Sequence, residues 1–381
     1  RLVSLLVTAG LLALAAGCGD HPAPPSAAPL HGAPLSPGVS GVTPSPVPKR
    51  AHNATPSARP STAPPQAGGH CTVGADLVPD CGLLWGAAAG GFSSTPREEA
   101  LRQWEATSGA PTTIFHTYHS GDQLFPTAAE ISMAHQAGHP RILLLNWKVA
   151  AGSTWAKVAA GAEDARIDRE AAYLRRTFTD RFFLVLHHEP ESGVNPDPSK
   201  GMTAPDFAAM FRHTVLRMRA DGVRNAITVV VYMNNEKFEN ASWWPRLYPG
   251  NDVVEWIGVD SYLNAGPGPF HTGGFASMMD RTTKPATFPG FYRWATTNHP
   301  GKPLMLAEWG VYGSAAKKPA VFATVLPELH DFPALKAMVY FDTVKDQDGR
   351  NIAINTSPAS TAAFRTIAAS PLFKVYLPRH D

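Results

Sequence analysis

Cysteine is scarce in this chain, and the spacing of the few cysteines excludes a common class of zinc site. Of 381 residues only three are cysteines, namely Cys18, Cys71 and Cys81. The last two are separated by nine residues, whereas zinc-binding pairs usually follow Cys-x-x-Cys spacing. In an oxidising, exported setting an isolated pair is most simply a disulfide. We therefore predict that Cys71 and Cys81 are bonded to each other, which would pin the start of the folded domain.

The sequence also lacks a strong charge excess and the usual nucleotide-binding glycine motifs. Its 33 basic residues oppose 31 acidic ones, a formal net charge of +2. Such a balance gives no electrostatic reason to expect a nucleic acid or an anionic membrane as partner. Neither a G-x-G-x-x-G motif after the first predicted strand nor a P-loop is present. We therefore expect no nucleotide cofactor, and no cofactor of another kind.

Long apolar runs are confined to the N-terminus. Residues 1–17 are apolar after Arg1 and run into Cys18 through the tetrapeptide Ala-Ala-Gly-Cys. This length suits the hydrophobic region of a signal peptide better than a membrane span of ~20 residues. The tetrapeptide resembles the bacterial lipobox, in which the cysteine is lipidated; the alternative is a plain secretory signal cut near Ala15. We expect an exported protein, anchored through Cys18 at the extracellular face of the membrane or else secreted.

Aromatic residues are missing from the stretch that follows. Residues 21–70 contain thirteen prolines and no Phe, Trp or Tyr. Such a segment cannot bury apolar surface, so we expect a disordered, semi-rigid linker. The chain then divides into a signal peptide at 1–17, the lipobox cysteine with a Pro/Ala-rich linker at 18–70, and one catalytic domain at 71–381.

In this last region apolar runs alternate with amphipathic segments. The runs predict eight strands, at 82–86, 112–118, 141–147, 182–188, 227–233, 253–260, 303–308 and 337–341. Helices are predicted between and after them, at 96–107, 128–137, 164–178, 205–220, 242–247, 289–297, 319–329 and 360–369. Eight strands alternating with helices favour a (β/α)₈ TIM barrel, with an open doubly wound sheet as the alternative.

Active groups of such a barrel lie at the C-terminal ends of the strands. Here the fourth predicted strand runs into Glu189, and the seventh ends at Glu308. These two strands face each other across the mouth of a barrel. Two opposed carboxyls are what glycoside hydrolysis needs, because one protonates the leaving oxygen while the other attacks the sugar or activates water.

These residues carry a resemblance to a known family. From about residue 71 to 342 the sequence is similar to glycoside hydrolase family 26, which contains many β-mannanases, and more closely to its exported actinobacterial branch. The matching segments are LLWGAAAGGF at 83–92, HHEPE at 187–191, WIGVDSY at 256–262 and KPLMLAEWG at 302–310. The resemblance implies a retaining double displacement with Glu189 as general acid/base and Glu308 as nucleophile. It also implies that His188 lies in the sugar site and that Tyr262 donates a hydrogen bond to Glu308.

Four further strand-end residues are candidate substrate contacts. Trp147 and Trp309 offer rings on which a sugar could stack, although tryptophan is also a common core residue. His116 lies near the end of the second predicted strand and Asp260 ends the sixth, and both would line the same site.

A metal-dependent hydrolase is the main rival interpretation. Its ligands would be drawn from a set of six side chains: His116, His119, Asp122, His187, His188 and Asp260. The first two histidines are three residues apart, whereas metal-dependent barrels usually place such a pair two apart at one strand end. We therefore expect no metal site.

Two departures from the family bear on the substrate. Lys148 stands where a histidine is expected, and the polar segment at 190–200 replaces aromatic residues. We predict an endo-acting enzyme on β-1,4-mannan, with a β-1,4- or mixed-linkage glucan or a xylan as alternatives. A barrel that binds polysaccharide without cleaving it is the alternative of another class.

Overall fold

The computed structural model describes residues 71–377, and eight of their strands close into a parallel barrel. In chain order these strands are β1 (Leu84–Ala89), β2 (Ile114–Ser120), β3 (Ile142–Lys148), β4 (Phe182–Leu186), β5 (Ala226–Met233), β6 (Trp256–Asn264), β7 (Leu304–Tyr312) and β8 (Leu335–Asp342). Each pairs in parallel with the next, and β8 returns to β1. The expected TIM barrel is confirmed, with all eight strands near their predicted positions. The signal peptide, Cys18 and the linker predicted at 1–70 lie outside the described residues.

Helices connect the strands around the outside of the barrel. They are α1 (Arg97–Ser108), α2 (Ala128–Ala134), α3 (Trp155–Ala159), α4 (Asp164–Thr177), α5 (Ala204–Ala220), α6 (Glu236–Glu239), α7 (Phe275–Met279), α8 (Phe291–Asn298), α9 (Lys318–Phe322), α10 (Val325–Glu328) and α11 (Pro358–Ala368). The sequence did not predict α3, α6 and α7, which are too short to show a helical period. The helix predicted at 319–329 is divided into α9 and α10. Between 71 and 377, no helix combines the length and the apolarity that crossing a bilayer requires.

Alternate side chains of each strand belong to two separate apolar layers, one inside the barrel and one between the strands and the helices. In β4, Phe183 and Val185 point into the barrel, whereas Phe182, Leu184 and Leu186 pack outward against the helices. Successive strand side chains point to opposite faces, so a strand covered on both sides must be apolar throughout. Burying each large side chain contributes about 1.5–3 kcal/mol. This explains why the strand sequences are continuous apolar runs.

The N-terminal end of the barrel is closed by the two ends of the described chain. The two-residue strands Cys71–Thr72 and Val375–Tyr376 pair in parallel. Leu77 and Val375 join the interior apolar layer, and the Trp256 indole donates a 2.7 Å hydrogen bond to the carbonyl of Asp76. The predicted disulfide between Cys71 and Cys81 is confirmed. It holds this plug in place, on the face opposite the C-terminal strand ends.

Replacing both bonded cysteines by serine tests the contribution of this plug. Opening a loop of sequence separation 10 should lower the free energy of unfolding by about 2–3 kcal/mol. The melting temperature should fall by several degrees, measured by circular dichroism with and without reductant. Reductant should lower the melting temperature of the native protein and leave that of the double variant unchanged. Equal melting temperatures for both proteins without reductant would show that the disulfide adds no stability.

Candidate active site

The C-terminal strand ends open into a cleft with two connected parts. The larger part, about 530 Å³, is lined by residues of β1, β2 and β5–β8 and of the segment after β4, and the smaller part, about 420 Å³, lies over β2–β4. Tyr118, His188 and Glu189 line both parts. The cleft therefore runs past Glu189 on both of its sides.

Six of the predicted site residues line the larger part of this cleft. They are His116, His188, Glu189, Asp260, Tyr262 and Glu308. They come from β2, β6 and β7 and from the segment that follows β4. The barrel thus brings together groups that are up to 192 residues apart in the chain.

Two predicted sugar platforms are wrong. Trp147 and Trp309 are both 0% exposed and belong to the apolar layer between strands and helices. The Trp147 indole donates to the carbonyl of Gly121 at 3.0 Å, and Trp309 stacks on Phe364 of α11. The alternation of a strand is the physical reason, because Lys148 and Glu308, next to them in sequence, take the positions that face the cleft. Neither tryptophan can present a ring to a ligand there.

Glu308 is held by two tyrosines. The Tyr118 hydroxyl donates to Oε1 at 2.6 Å, and the Tyr262 hydroxyl donates to Oε2 at 2.5 Å. The bond from Tyr262 is the one that the family resemblance implied. Hydrogen bonds donated to a carboxylate favour its charged form. Both oxygens of Glu308 are therefore stabilised as acceptors and fixed in orientation.

A local irregularity of β7 turns Glu308 toward the cleft. Val259 is paired with Leu306, but the next residue, Asp260, is paired with Glu308, so Ala307 is an extra residue. Ala307 belongs to the interior apolar layer and Glu308 lines the cleft. Bulges of this kind redirect side chains next to active sites.

Tyr118 was not assigned a role from the sequence. Its ring packs against His116, with centroids 4.5 Å apart, and meets the edge of His188 at 5.6 Å. Its position at the end of β2 was visible in the sequence. Its bond to Glu308 was not, because 190 residues separate the two.

Glu189 reaches the cleft through an unusual backbone path. β4 ends at Leu186, after which His187 and Glu189 adopt left-handed conformations with φ of 51° and 50°. Their N–H groups still donate to neighbouring strands, at Trp147 (3.1 Å) and Val231 (3.0 Å). Non-glycine residues in this region cost about 1–3 kcal/mol each and concentrate at functional sites. The left-handed conformations of His187 and Glu189 thus place Glu189 at the mouth of the barrel, beyond the end of β4.

The environment of Glu189 favours its protonated form. Burial, the negative charge of Glu308 and that of Glu191 raise its pKa to about 8, against a smaller opposing effect of Arg350. At pH 7 Glu189 therefore carries a proton in a cleft where Glu308 accepts hydrogen bonds. This is the division between acid and carboxylate that two neighbouring acids need for different roles.

The groups around this pair are largely neutral. Burial lowers the pKa of His188, and the Asn146 amide donates to its Nδ1, so the ring hydrogen lies on Nε2. Burial, assisted by His188, lowers the pKa of His116 to about 3. Burial, with Glu308 and Glu189 nearby, raises the pKa of Asp260 well above its ordinary value. The cleft centre therefore surrounds Glu308 with uncharged polar groups.

Half of the side chains proposed for the rival metal site make other contacts. His119 pairs with Glu130 at 3.1 Å, and Asp122 pairs with Arg166 at 3.2 Å. His187 accepts a hydrogen bond from the N–H of Ala150 at 3.1 Å. Three of the six are thus tied into separate structural contacts.

A different trio in the described chain could hold a cation. His188, Asp260 and Glu308 each offer a ligand atom, and these atoms lie within 4.8 Å of one another. However, Tyr118 and Tyr262 already donate to both oxygens of Glu308. The raised pKa of Asp260 also disfavours the carboxylate form that a metal ion needs. The donor set fits acid–base chemistry better than a bound metal.

The polar loop after Glu189 contains a buried support that the sequence did not reveal. Glu191 is 2% exposed, and its carboxylate accepts bonds from the Trp244 indole at 2.9 Å and the N–H of Met233 at 3.1 Å. Burial raises its pKa to about 7. Glu191 thus fixes the loop at 190–200 to Met233 of β5 and to Trp244.

Solved structures share this fold at low sequence identity. A family 26 β-mannanase from Bacteroides ovatus is 17% identical with a TM-score of 0.53, over 78% of this chain and 90% of that one. A modular endo-β-1,4-mannanase from Cellulomonas fimi is 16% identical with a TM-score of 0.50, over 77% and 72%. A ruminal family 26 endo-β-1,4-mannanase is 16% identical with a TM-score of 0.50, over 76% and 64%. At these identities the likeness shows the fold alone.

Comparison at the level of sequence finds no counterpart. No protein-family model matches the chain, and no curated protein matches it significantly.

Titration of Glu189 tests the electrostatics of the pair. In the Glu308→Gln variant the neighbouring negative charge is gone, so the pKa of Glu189 should fall from about 8. It should stay above the ordinary value of 4.5, because burial is the larger cause. Nuclear magnetic resonance of ¹³C-labelled glutamate carboxyls, assigned with Glu189→Gln, measures the shift.

A matched control is Glu99→Gln, which removes an exposed acid on α1 outside the cleft. The pKa of Glu189 should not change in this variant. An unchanged pKa in Glu308→Gln as well would show that the two acids do not interact.

Proposed function

We propose that this protein is a retaining endo-β-glycosidase that cleaves a β-linked polysaccharide by double displacement. The contrast within one cleft carries the proposal, because burial and neighbouring charge raise the pKa of Glu189 to about 8 while Glu308 accepts two tyrosine hydrogen bonds. A proton donor and an oriented nucleophile are the two groups that this chemistry needs.

In the first step Glu308 attacks the anomeric carbon while the glycosidic C–O bond breaks. Glu189 transfers its proton to the departing oxygen, so the leaving sugar departs as an alcohol. The product on the enzyme is a glycosyl ester of Glu308. Tyr118 and Tyr262 hold Glu308 in position for the attack.

In the second step Glu189, now a carboxylate, takes a proton from a water molecule. That water attacks the anomeric carbon, and the ester bond to Glu308 breaks. The two inversions give net retention of configuration and restore both groups. His188, His116 and Asp260 would contact the sugar at the cleft centre.

The open course of the cleft supports internal cleavage of a chain. Glu189 has cleft surface on both sides, so sugar units can lie beyond the cleaved bond in each direction. An exo-acting site would need one side to be closed.

We propose β-1,4-mannan as the substrate. The three solved structures with this fold that are described above are mannanases, and the segments at 187–191, 256–262 and 302–310 resemble family 26. A β-1,4- or mixed-linkage glucan, or a xylan, would be cleaved by the same pair of glutamates.

We further propose export with a lipid anchor at Cys18. The apolar run at 1–17 and the lipobox-like tetrapeptide support it, as does the resemblance to the exported actinobacterial branch. The disulfide between Cys71 and Cys81 is consistent with an oxidising location.

A substrate panel with two variants tests the function. The native protein should release reducing sugars from at least one soluble β-glycan, and Glu308→Ala should abolish release. Glu189→Ala should slow hydrolysis of the polysaccharide by about 10²–10⁴-fold. It should spare the first step on aryl glycosides with good leaving groups, which need no proton.

Glu99→Ala, an exposed change on α1, serves as the matched control and should behave like the native protein. Binding of a glycan without any release by the native protein would favour a non-catalytic binding barrel. Release that needs a metal and survives Glu308→Ala would contradict the two-glutamate mechanism.

A further inference from the structure

The smaller part of the cleft contains a lysine without a partner. Lys148 ends β3, is exposed and lines this part beside Glu189 and His188. Its carbonyl accepts hydrogen bonds from the N–H groups of Gly121 (3.1 Å) and Ala151 (3.2 Å), so its backbone is fixed from two sides. In the described chain its ammonium has neither a carboxylate within ion-pair distance nor a hydrogen-bond acceptor.

No negative charge of the described residues balances Lys148 in this part of the cleft. Glu189 is the only carboxylic acid among the lining residues, and its raised pKa keeps it protonated at pH 7. Of the three histidines there, His119 lies 3.1 Å from Glu130, and burial with Lys148 lowers the pKa of both His187 and His188, which keeps these two neutral. The smaller part is therefore net positive.

The larger part of the cleft is different. The guanidinium of Arg350, which lines this part, pairs with Asp346 at 2.6 Å and with Asp348 at 3.0 Å. Arg97, also in its lining, donates to the carbonyl of Gly90. Positive charges in this part are thus engaged by the protein itself. The charge asymmetry runs along the direction in which a polysaccharide chain would lie.

An unpaired cation in a cleft binds best to an anionic group on the ligand. Sugar hydroxyls can accept a bond from an ammonium, but a carboxylate adds a full negative charge and therefore attracts the ammonium more strongly. Uronic acids supply such carboxylates on polysaccharides, either in the backbone or in side branches.

We propose that the preferred substrate is a β-glycan carrying a carboxylate on a sugar unit bound in the smaller part of the cleft, where Lys148 pairs with it. This inference rests on the proposed function, because it names the substrate class of the same site. It extends that function from neutral mannan to acidic glycans with the same type of linkage.

Three polymers with a shared β-glycan backbone test the proposal. One is neutral, one has part of its primary hydroxyls oxidised to backbone carboxylates, and one carries glucuronate branches. At low salt the native protein should cleave one of the acidic polymers with a kcat/KM at least about fivefold higher than the neutral one. The acidic polymer that is preferred identifies the source of the carboxylate. Added salt should reduce the preference, since it screens the charges.

Variants assign the preference to one residue. Lys148→Gln should remove the preference, and Lys148→Glu should reverse it, whereas Lys148→Arg should retain most of it. Lys284→Gln, an exposed lysine outside the cleft lining, is the matched control and should keep the full preference. Equal kcat/KM on neutral and acidic polymers, or a Lys148→Gln variant that keeps the preference, would overturn the proposal.

Equilibrium binding separates this proposal from the proposed function. Oligosaccharides derived from the three polymers are titrated into Glu308→Gln by calorimetry. Tighter binding of the acidic ligand that is lost in the Glu308→Gln/Lys148→Gln double variant supports the pairing, even if the native protein cleaves nothing. Hydrolysis by the native protein together with equal binding of neutral and acidic ligands would overturn the pairing and leave the hydrolase assignment intact.

Discussion

The chemistry proposed for this cleft depends on the different environments of Glu189 and Glu308, two acids that influence each other's ionisation. Two carboxyl groups in one partly buried site resist simultaneous ionisation, because each negative charge raises the energy of the other. Here two phenol hydroxyls donate hydrogen bonds to Glu308, while burial and the neighbouring Glu308 raise the pKa of Glu189 to about 8. The lowered pKa values of His116 and His188 and the raised pKa of Asp260 disfavour further charge near the centre. In the proposed mechanism, the same interaction assigns the attack to Glu308 and the donation of a proton to Glu189.

Two local irregularities of the barrel backbone place Glu189 and Glu308 in the cleft. A regular β7 would alternate inward and outward, but the extra residue Ala307 lets Glu308 face the cleft while Trp309 packs against the helices. On β4 the left-handed conformations of His187 and Glu189 carry the chain over the mouth. Contacts support the second irregularity, since neighbouring strands bond the backbone of His187 and Glu189, and Glu191 fixes the loop that follows. The rigid scaffold compensates for local strain at the site.

The sequence predicted much of the fold because the relevant signals are local. A run such as FFLVL at 182–186 is apolar throughout, which indicates a strand buried on both faces, and eight such runs indicate a barrel. The same continuity explains the errors at Trp147 and Trp309. When both faces of a strand are apolar, the sequence does not show which residues point inward, so a tryptophan at a strand end is as compatible with the outer layer as with the cleft. The bond from Tyr118 to Glu308 and the burial of Glu191 depend on residues distant in the chain, and no local pattern encodes them.

The central claim is that Glu308 forms a covalent bond to the sugar, and mechanism-based trapping tests it most directly. The fluorine of a 2-deoxy-2-fluoro glycoside slows both chemical steps. An activated leaving group lets the first step proceed, so the glycosyl-enzyme accumulates. Incubation followed by peptide mass spectrometry should find one sugar per protein molecule, attached to the peptide that contains Glu308. Attachment to another residue, or no attachment together with a product of inverted anomeric configuration, would contradict the account.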